Sequence, residues 1–513
     1  MLVFLPQQSV TMSKLERRDF VKKGLLASAG LTLIPGAFTK LGATPKKSST
    51  IVFTHTTVVT GDANRAQLKD VALSIRDGII AAIGPTDEVL KKFTDAEVID
   101  GRKKALLPGV VNCHAHLSAT IARGFNEDFG FPNRAKLAVS PGTQLSSEER
   151  ALMSVIGALH SIRTGTTTVV ENTSKIASSA QELAKTGLRW VFAESASDCE
   201  NCTLMSPETF AASEKPRFSA KMRDEGMQRI EDLFSKWHGH NNGRIQVFPA
   251  ASLTEVASPE LLRAIRTFAE KHNLGYTIHL SQTHSEINYM MKYHGVLPTE
   301  YLYKNDFLGP RFFAGHARYV NKKEIELLGR TKSMVSHQAS MAANRGVSPP
   351  IPDLREAGCI ICMGTDNNNN DMYAVMKVGM LTERIRRQDE HPGMFPQPED
   401  ILQDAALGGA HATNQADKLG LLEVGRKADI IVLDTQKVHL IPSGRILSAW
   451  LHNGQPSDVE SVIVDGEFIM RNHKILTVDE ESILNEARKI GERVWAEVDK
   501  ANPIVPPGRK NWH

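Results

Sequence analysis

The stretch Leu106-Leu-Pro-Gly-Val-Val-Asn-Cys-His114-Ala-His116-Leu places two histidines one residue apart at the end of an apolar run. Alternate side chains of an extended strand share a face, so both imidazoles project the same way and form a two-point platform for a metal ion. Further along, His279 closes Gly275-Tyr-Thr-Ile-His279, His316 closes Phe312-Phe-Ala-Gly-His316, and His337 closes the run from Ser333. Asp366 follows Met363-Gly-Thr. One histidine at a strand end is ordinarily structural. Five of them with an aspartate, each ending an apolar run, are not readily a packing accident and make a candidate metal-binding rim.

Gln282 stands three residues after His279, in His279-Leu-Ser-Gln-Thr-His-Ser-Glu286, where hydrolytic chemistry often employs a carboxylic acid. Glutamine hydrogen-bonds but cannot trade a proton at neutral pH. Glu286 lies one helical turn further on and faces the same side if a helix begins there. Its plainer reading is a solvated helix residue.

These side chains need a scaffold that brings distant strand ends to one rim. Apolar strands recur at about 166–170, 188–193, 245–251, 275–280, 311–316, 333–337 and 359–365, with helical segments such as Ser258–His272 and Asn321–Arg330 between them. With the run before His114 this makes eight strand–helix units, the pattern of parallel strands with crossover helices. Over roughly 310 residues it predicts a (β/α)8 barrel, whose functional groups gather at the C-terminal strand ends. An open doubly wound sheet is the alternative, but no Gly-rich phosphate loop follows the first strand. Short strands at 51–59, 71–76 and 79–84 return at 429–433 and 459–464, with Asp77-Gly78 and Asp465-Gly466 as hairpin turns. They predict a small composite β-sandwich built from both ends. The expected boundaries are 46–107 and 425–475 for the sandwich, 108–424 for the barrel, and 476–513 for a C-terminal helix and tail.

Over roughly residues 51–480 the chain resembles the amidohydrolase superfamily, in the branch of cytosine and guanine deaminases and triazine hydrolases such as atrazine chlorohydrolase. The resemblance rests on PGVVNCHAHL, TGTTTVVE, HLSQTHSE, AGHARYVNKKEIELL, REAGCIICMGTDNNNNDM and ATNQADKLGLLEVGRKADIIVLD. It implies His114, His116, His279 and Asp366 as ligands of one divalent metal, with Asp366 also taking the water proton and His316 orienting the water or polarising the substrate. Binuclear relatives bridge two ions with a lysine on the fourth strand. Here Arg244-Ile-Gln-Val-Phe-Pro-Ala-Ala-Ser-Leu253 has none, so one ion is expected, Zn2+ by default and Fe2+ as the alternative. The segment after the seventh strand, His337-Gln-Ala-Ser-Met-Ala-Ala-Asn344, departs from the family's usual Pro and Asn, so family substrates do not carry over. Gln282 is the second departure, since the deaminase branch has an acid there. The reading is a metal-dependent hydrolase of a C–N bond (amide, urea, carbamate or lactam type) in a small cyclic or aromatic molecule, with His316 or Glu286 assisting the leaving amine. A heterocycle deaminase, a hydrolytic dehalogenase and a non-catalytic metal-containing binding protein are the alternatives. Phe125, Phe129 and Phe131 would either wall an aromatic pocket or pack ordinarily. Asn367–Asn370 would either touch substrate or form a turn.

Bulk properties narrow the partners. The formal charge is +3 over 513 residues. Residues 1–45 hold six basic against two acidic side chains, which leaves the remainder about −1 and excludes nucleic acid as a partner. Leu15-Glu-Arg-Arg-Asp-Phe-Val-Lys-Lys23 precedes an apolar run, Gly24–Phe38, too short for stable membrane insertion, which needs about 20 residues. Arg17-Arg18 before that run resembles a twin-arginine export signal over 1–45. The expected partners are therefore a small-molecule substrate and the twin-arginine export machinery, the expected location is the periplasm or exterior, and a homo-oligomer is left open. Five cysteines exclude a disulfide scaffold. Cys199 and Cys202 form a lone CxxC, read as loop cysteines or one disulfide. Cys113, Cys359 and Cys362 lie in apolar runs and read as buried thiols.

Overall fold

The computed structural model describes residues 50–129, 139–202, 207–367, 369–390 and 395–501. The export signal expected over 1–45, the side chains of Phe129 and Phe131, Asn368 and the tail beyond 501 lie outside the described residues.

Eight parallel strands form one sheet in chain order. They are β1 Val110–Ala115, β2 Thr166–Thr173, β3 Arg189–Ala196, β4 Ile245–Leu253, β5 Tyr276–Leu280, β6 Phe312–His316, β7 Met334–His337 and β8 Ile361–Met363. Every residue of β1, β3, β5, β6 and β7 is buried. Covered on both faces, such strands read as continuous apolar runs rather than alternating ones. The helices between them start where the sequence caps them. Ser258 accepts from Leu261 N ahead of Pro259–Lys271, and Asn321 forms a capping box with Glu324 ahead of Lys322–Arg330.

The sheet closes where β8 returns to β1. Ala115 and Asp366 form a parallel bridge. Asp366 N donates to His114 O at 2.8 Å, and His116 N donates to Asp366 O at 3.2 Å. Asn112 clips the same seam, its Nδ2 donating to Thr365 Oγ1 at 2.8 Å and its Oδ1 accepting from Thr365 N at 3.0 Å. The architecture is therefore the (β/α)8 barrel that the strand count implied.

The two chain ends meet in one mixed nine-stranded sheet. Ile430–Asp434 pairs antiparallel with Lys104–Pro108 and joins the C-terminal strands to Ile51–Val59, Gln67–Arg76 and Ile79–Gly84. The expected sandwich is thus a single sheet folded over its own core of Phe53, Leu73, Ile75, Leu106, Val432 and Ile463. Its two Asp-Gly turns touch. Asp77 and Asp465 both have φ near +50°, and Gly78 and Gly466 both have φ +76°, the backbone of a type I′ turn. A Cβ on Gly466 would lie 2.9 Å from Gly78 Cα.

The C-terminal helix Glu480–Ala501 lays Ile490, Val494 and Val498 on Ile121 and Met153. Phe125 packs at a tilt against Trp495 of this helix, with centroids 5.8 Å apart, so its ring is engaged in packing between the two elements. Cys113, Cys359 and Cys362 are buried free thiols, and Cys199 and Cys202 are disulfide-bonded.

Barrel and folded sheet are pinned by a buried charge cluster. Arg189, the first residue of β3, donates to Asp429 at 2.9 and 3.0 Å and reaches Asp465 at 3.1 Å. Asp465 also has Arg244 and Lys427 as partners, whereas Asp429 has no other cation among the described residues. Arg189→Met should therefore strand the Asp429 carboxylate and cost about 3–5 kcal/mol, while Arg189→Met with Asp429→Asn should recover much of it. Thermal or urea unfolding of the two variants checks this.

Candidate metal centre

Strand ends supply the site, and each ligand arrives by a different local route. His114 on β1 and His116, directly after its last residue, point to the same inward side. His279 is the last residue but one of β5, and His316 ends β6. Asp366 follows β8 in a left-handed conformation, φ +62°, which turns its carboxylate over the barrel mouth. His316 and Ala317 also have positive φ, +79° and +48°, and so does Ser281, +48°. Non-glycine residues adopt this backbone at a cost, and such strain concentrates at functional sites. Gly315 leaves room for the first ligand, since a Cβ there would stand 3.1 Å from His114 Cε1.

The donor atoms of His114, His116 and His279 all lie within 4.8 Å of one another, as do those of His114, His316 and Asp366. Asp366 Oδ1 is 3.6 Å from His116 Nε2, and Oδ2 is 3.8 Å from His316 Nε2. The tautomers of two rings are set from behind. His116 Nδ1 meets Asn172 O at 2.5 Å and His279 Nδ1 meets Ser252 O at 2.6 Å. A carbonyl only accepts, so both Nδ1 atoms carry the proton and both Nε2 atoms present lone pairs. These two lone pairs face each other at 3.1 Å. Without a cation between them the contact is repulsive. With one at 2.0–2.1 Å from each nitrogen, tetrahedral geometry asks for about 3.3 Å. Both ring nitrogens of buried His114 also lack a partner among the described residues. The residues present therefore fit a divalent metal, and His114, His116, His279 and Asp366 would hold it.

The field favours neutral imidazoles, the ligating form. Burial first, then His279, His116 and the Arg318 charge, hold His114 well below the usual range. Burial and then His116 push His279 down to about 4. Burial and then Arg318 hold His316 well down.

Two expected members of the rim behave otherwise. His337 does not join the cluster. Its buried ring lies against Gly379 of helix Met372–Arg387, because β7 turns this position outward to the helix layer. Glu286 is not solvated. The helix does begin beside it, as His284–His294 with Thr283 as N-cap, but the carboxylate is fully buried. It accepts from Ser281 N at 2.8 Å, Gln282 N at 2.7 Å and Thr254 Oγ1 at 2.6 Å. Burial pushes it up to about 7. Glu255 lies beside it and is raised well above the usual range by burial and by Glu286. This carboxyl pair braces the loop that carries Gln282. The Gln282 side chain is buried, and its amide has no hydrogen bond among the described residues.

Of the asparagine run, Asn370 is buried and Asn367 O accepts from Asn126 Nδ2 at 3.3 Å. Among the described residues of that turn the left-handed one is Asp366. A polar cavity of about 280 Å³ opens beside His116 and His279 and is lined by Asn172, Ser195, Ser252 and Arg229. Larger cavities at the two Asp-Gly hairpins and between helices Pro298–Lys304 and Lys322–Arg330 hold none of the donor set. Sequence reasoning missed Asn112, Asn172, Ser252 and Arg318. Asn172 and Ser252 act through backbone carbonyls, which no side-chain pattern reveals.

The fold and donor set define a class of barrel hydrolase with a metal centre at the strand ends, and the comparisons agree. The amidohydrolase family model matches residues 105–469, and the chain belongs to that family. A 5'-deoxyadenosine deaminase of Methanobrevibacter smithii is 30% identical over 459 residues, covering 86% of this chain and 99% of that protein. A 5-methylthioadenosine/S-adenosylhomocysteine deaminase of Desulforamulus reducens is 26% identical over 445 residues, 85% of this chain and 97% of that one. An adenosine deaminase from Xanthomonas campestris with bound zinc superposes with a TM-score of 0.76 at 21% identity, covering 88% and 100%. Atrazine chlorohydrolase from Arthrobacter aurescens, complexed with zinc, gives 0.75 at 20%, covering 86% and 100%. Family membership makes the chain a hydrolase acting on C–N bonds.

Elemental analysis of the purified protein should find about one equivalent of divalent metal per chain. His116→Ala and Asp366→Ala should each lower metal affinity at least about tenfold, whereas His337→Ala should leave metal content unchanged.

Proposed function

We propose that the protein hydrolyses an amide, urea, carbamate or lactam-like C–N bond of a small cyclic or aromatic molecule at a single divalent ion, zinc by default. When bound, the ion supplies a Lewis acid and water acidified to near neutral pH. Asp366 accepts the proton that the attacking water gives up. Its two oxygens, facing His116 and His316, keep it at the mouth of the barrel. His316 orients the substrate carbonyl and assists departure of the amine. Its backbone is held by Gln338 Oε1 at 2.9 Å from His316 N, and its Nδ1 has no partner among the described residues.

The observation that carries the choice of bond is the Gln282–Glu286 pair. Deamination of a heteroaromatic ring needs an acid that protonates a ring nitrogen, and such an acid is typically worth about 10²–10⁴ in rate. Gln282 cannot supply a proton. Glu286 is spent on two backbone amides and the Thr254 hydroxyl, so it acts as a positioning residue rather than a shuttle. An acyl-type bond needs only the groups that remain. Deamination is the second reading, favoured by the relatives named as deaminases. Dehalogenation uses the same attacking water on a C–Cl carbon.

A panel of amides, ureas, carbamates, lactams, aminated heterocycles and chloro-heterocycles, read for amine, ammonia and halide, decides among them. Turnover of the acyl-type members is expected. Deaminase-like release of ammonia from a heterocycle would overturn the choice, and binding without any turnover would identify a binding protein. With an active substrate, Gln282→Ala should raise KM about 2–10-fold, the worth of one neutral hydrogen bond, with a smaller change in kcat. Gln282→Glu should keep the metal and introduce weak deaminase activity.

We further infer export by the twin-arginine route to the periplasm or exterior, supported by Arg17-Arg18 and the apolar run that follows. Among the described residues no helix is long and apolar enough to cross a membrane. Arg17→Lys with Arg18→Lys should retain the precursor in the cytoplasm, as cell fractionation would show. Undiminished export would refute the address.

A further inference from the structure

Arg318 follows His316 by two residues and is only 7% exposed. Its surroundings are unusual for a buried cation. Nη1 reaches Gln282 O at 3.5 Å, a marginal contact, and Nη2 rests on Met341 Sδ at 2.6 Å. Nε has no partner. Among the described residues no carboxylate lies within ion-pair distance of it. The two acids whose fields reach it, Asp366 and Glu286, are committed elsewhere, one to the histidine cluster and the other to the Gln282 loop. A second guanidinium stands near. Arg345 is pushed down to about 10 by burial, with Arg318 among the charges that add to it. Isolated buried charge costs several kcal/mol and is normally paired.

The backbone shows that this placement is built. Positive φ at His316 and Ala317 bends the chain after β6. Ala317 N donates to Leu280 O at 2.9 Å and Tyr319 N to Ser281 O at 3.2 Å. These bonds tie the residue between them to the loop after β5. The guanidinium is therefore clamped between the Gln282 loop, the end of β6 and helix Ala339–Asn344, beside the metal centre. Its charge is felt by His114, His279 and His316.

We propose that Arg318 is the anchor for a carboxylate on the substrate, so that the molecule hydrolysed is a small organic acid carrying its scissile C–N bond beside a carboxylate. The inference rests on the proposed hydrolytic use of the same site. The Nε of this planar guanidinium is buried and lacks a partner among the described residues, and with the neighbouring Nη2 it offers a planar carboxylate two parallel N–H bonds. Gln282, whose backbone carbonyl is 3.5 Å from Arg318 Nη1 and whose side-chain amide has no hydrogen bond among the described residues, would read the group next to the carboxylate.

The test is a binding measurement on the metal-loaded protein that needs no turnover. Benzoate, benzamide and phenyl phosphate are titrated by calorimetry against the native protein, Arg318→Met and Arg318→Lys. The native protein should bind benzoate at least about tenfold more tightly than benzamide, the worth of a charge-assisted pair. Arg318→Met should lose that preference while keeping its metal, and its unfolding temperature should not fall, since an unpaired buried cation has gone. Arg318→Lys keeps the charge but not the fork, and should lose most of the preference in a folded protein. Benzoate binding that survives both substitutions would place the carboxylate on the metal and overturn the proposal. Equal binding of benzamide, or preference for phenyl phosphate, would overturn it as well. If the hydrolytic reading fails instead, no panel member turns over while the Arg318-dependent preference for benzoate remains.

Discussion

Everything at the site depends on the closure of the barrel between β8 and β1. Asp366 makes that closure with its backbone, accepting from His116 N and donating to His114 O. The same residue offers its carboxylate to the histidine cluster. Three of the four expected ligands therefore sit on one hydrogen-bonded seam, and the fourth, His279, comes from the far side of the sheet. A loosened seam would move the donors as well as the fold. Asn112, through its bonds to Thr365, is the side chain that locks the register there.

The second constraint is electrostatic. Burial and neighbouring charge favour the neutral form of His114, His279 and His316, and carbonyls of Asn172 and Ser252 choose which nitrogen of His116 and His279 faces inward. The result is that the Nε2 lone pairs of His116 and His279 face each other at 3.1 Å, a repulsion that a cation between them would relieve. The same region holds the buried Arg318 guanidinium, with no carboxylate within ion-pair distance among the described residues. A site of this kind prefers ligands with negative charge or with oxygens that can approach a positive centre.

The loop after β5 gives the site its individual character. Its backbone is held by Glu286, itself next to Glu255. Two buried carboxyls side by side cannot both ionise easily, so one keeps its proton and the pair serves as a rigid brace. Structural relatives at about 20% identity share the barrel, but likeness at that level says nothing of what this loop binds. The relatives named as deaminases and the glutamine at position 282 pull in different directions, and the chemistry of a group that cannot donate a proton is the stronger argument for this chain.

By itself the sequence determined the eight strands, their parallel order, the two-ended composite sheet and the histidines and aspartate of the rim. These follow from apolar runs, caps and Asp-Gly turns, which act over a few residues. The amino-acid order could not show that His337 faces the outer helices while His316 faces in, because both end short buried strands and only packing distinguishes the faces. Nor could it show that Glu286 is spent on backbone amides, since nothing local marks a helix residue as buried under a loop. The carbonyls of Asn172 and Ser252, the pairing of Arg189 with Asp429 and the isolation of Arg318 join residues or strand ends far apart in the chain, or record a partner that is absent. Such relations exist only once the barrel has closed, and so the tertiary structure alone decided them.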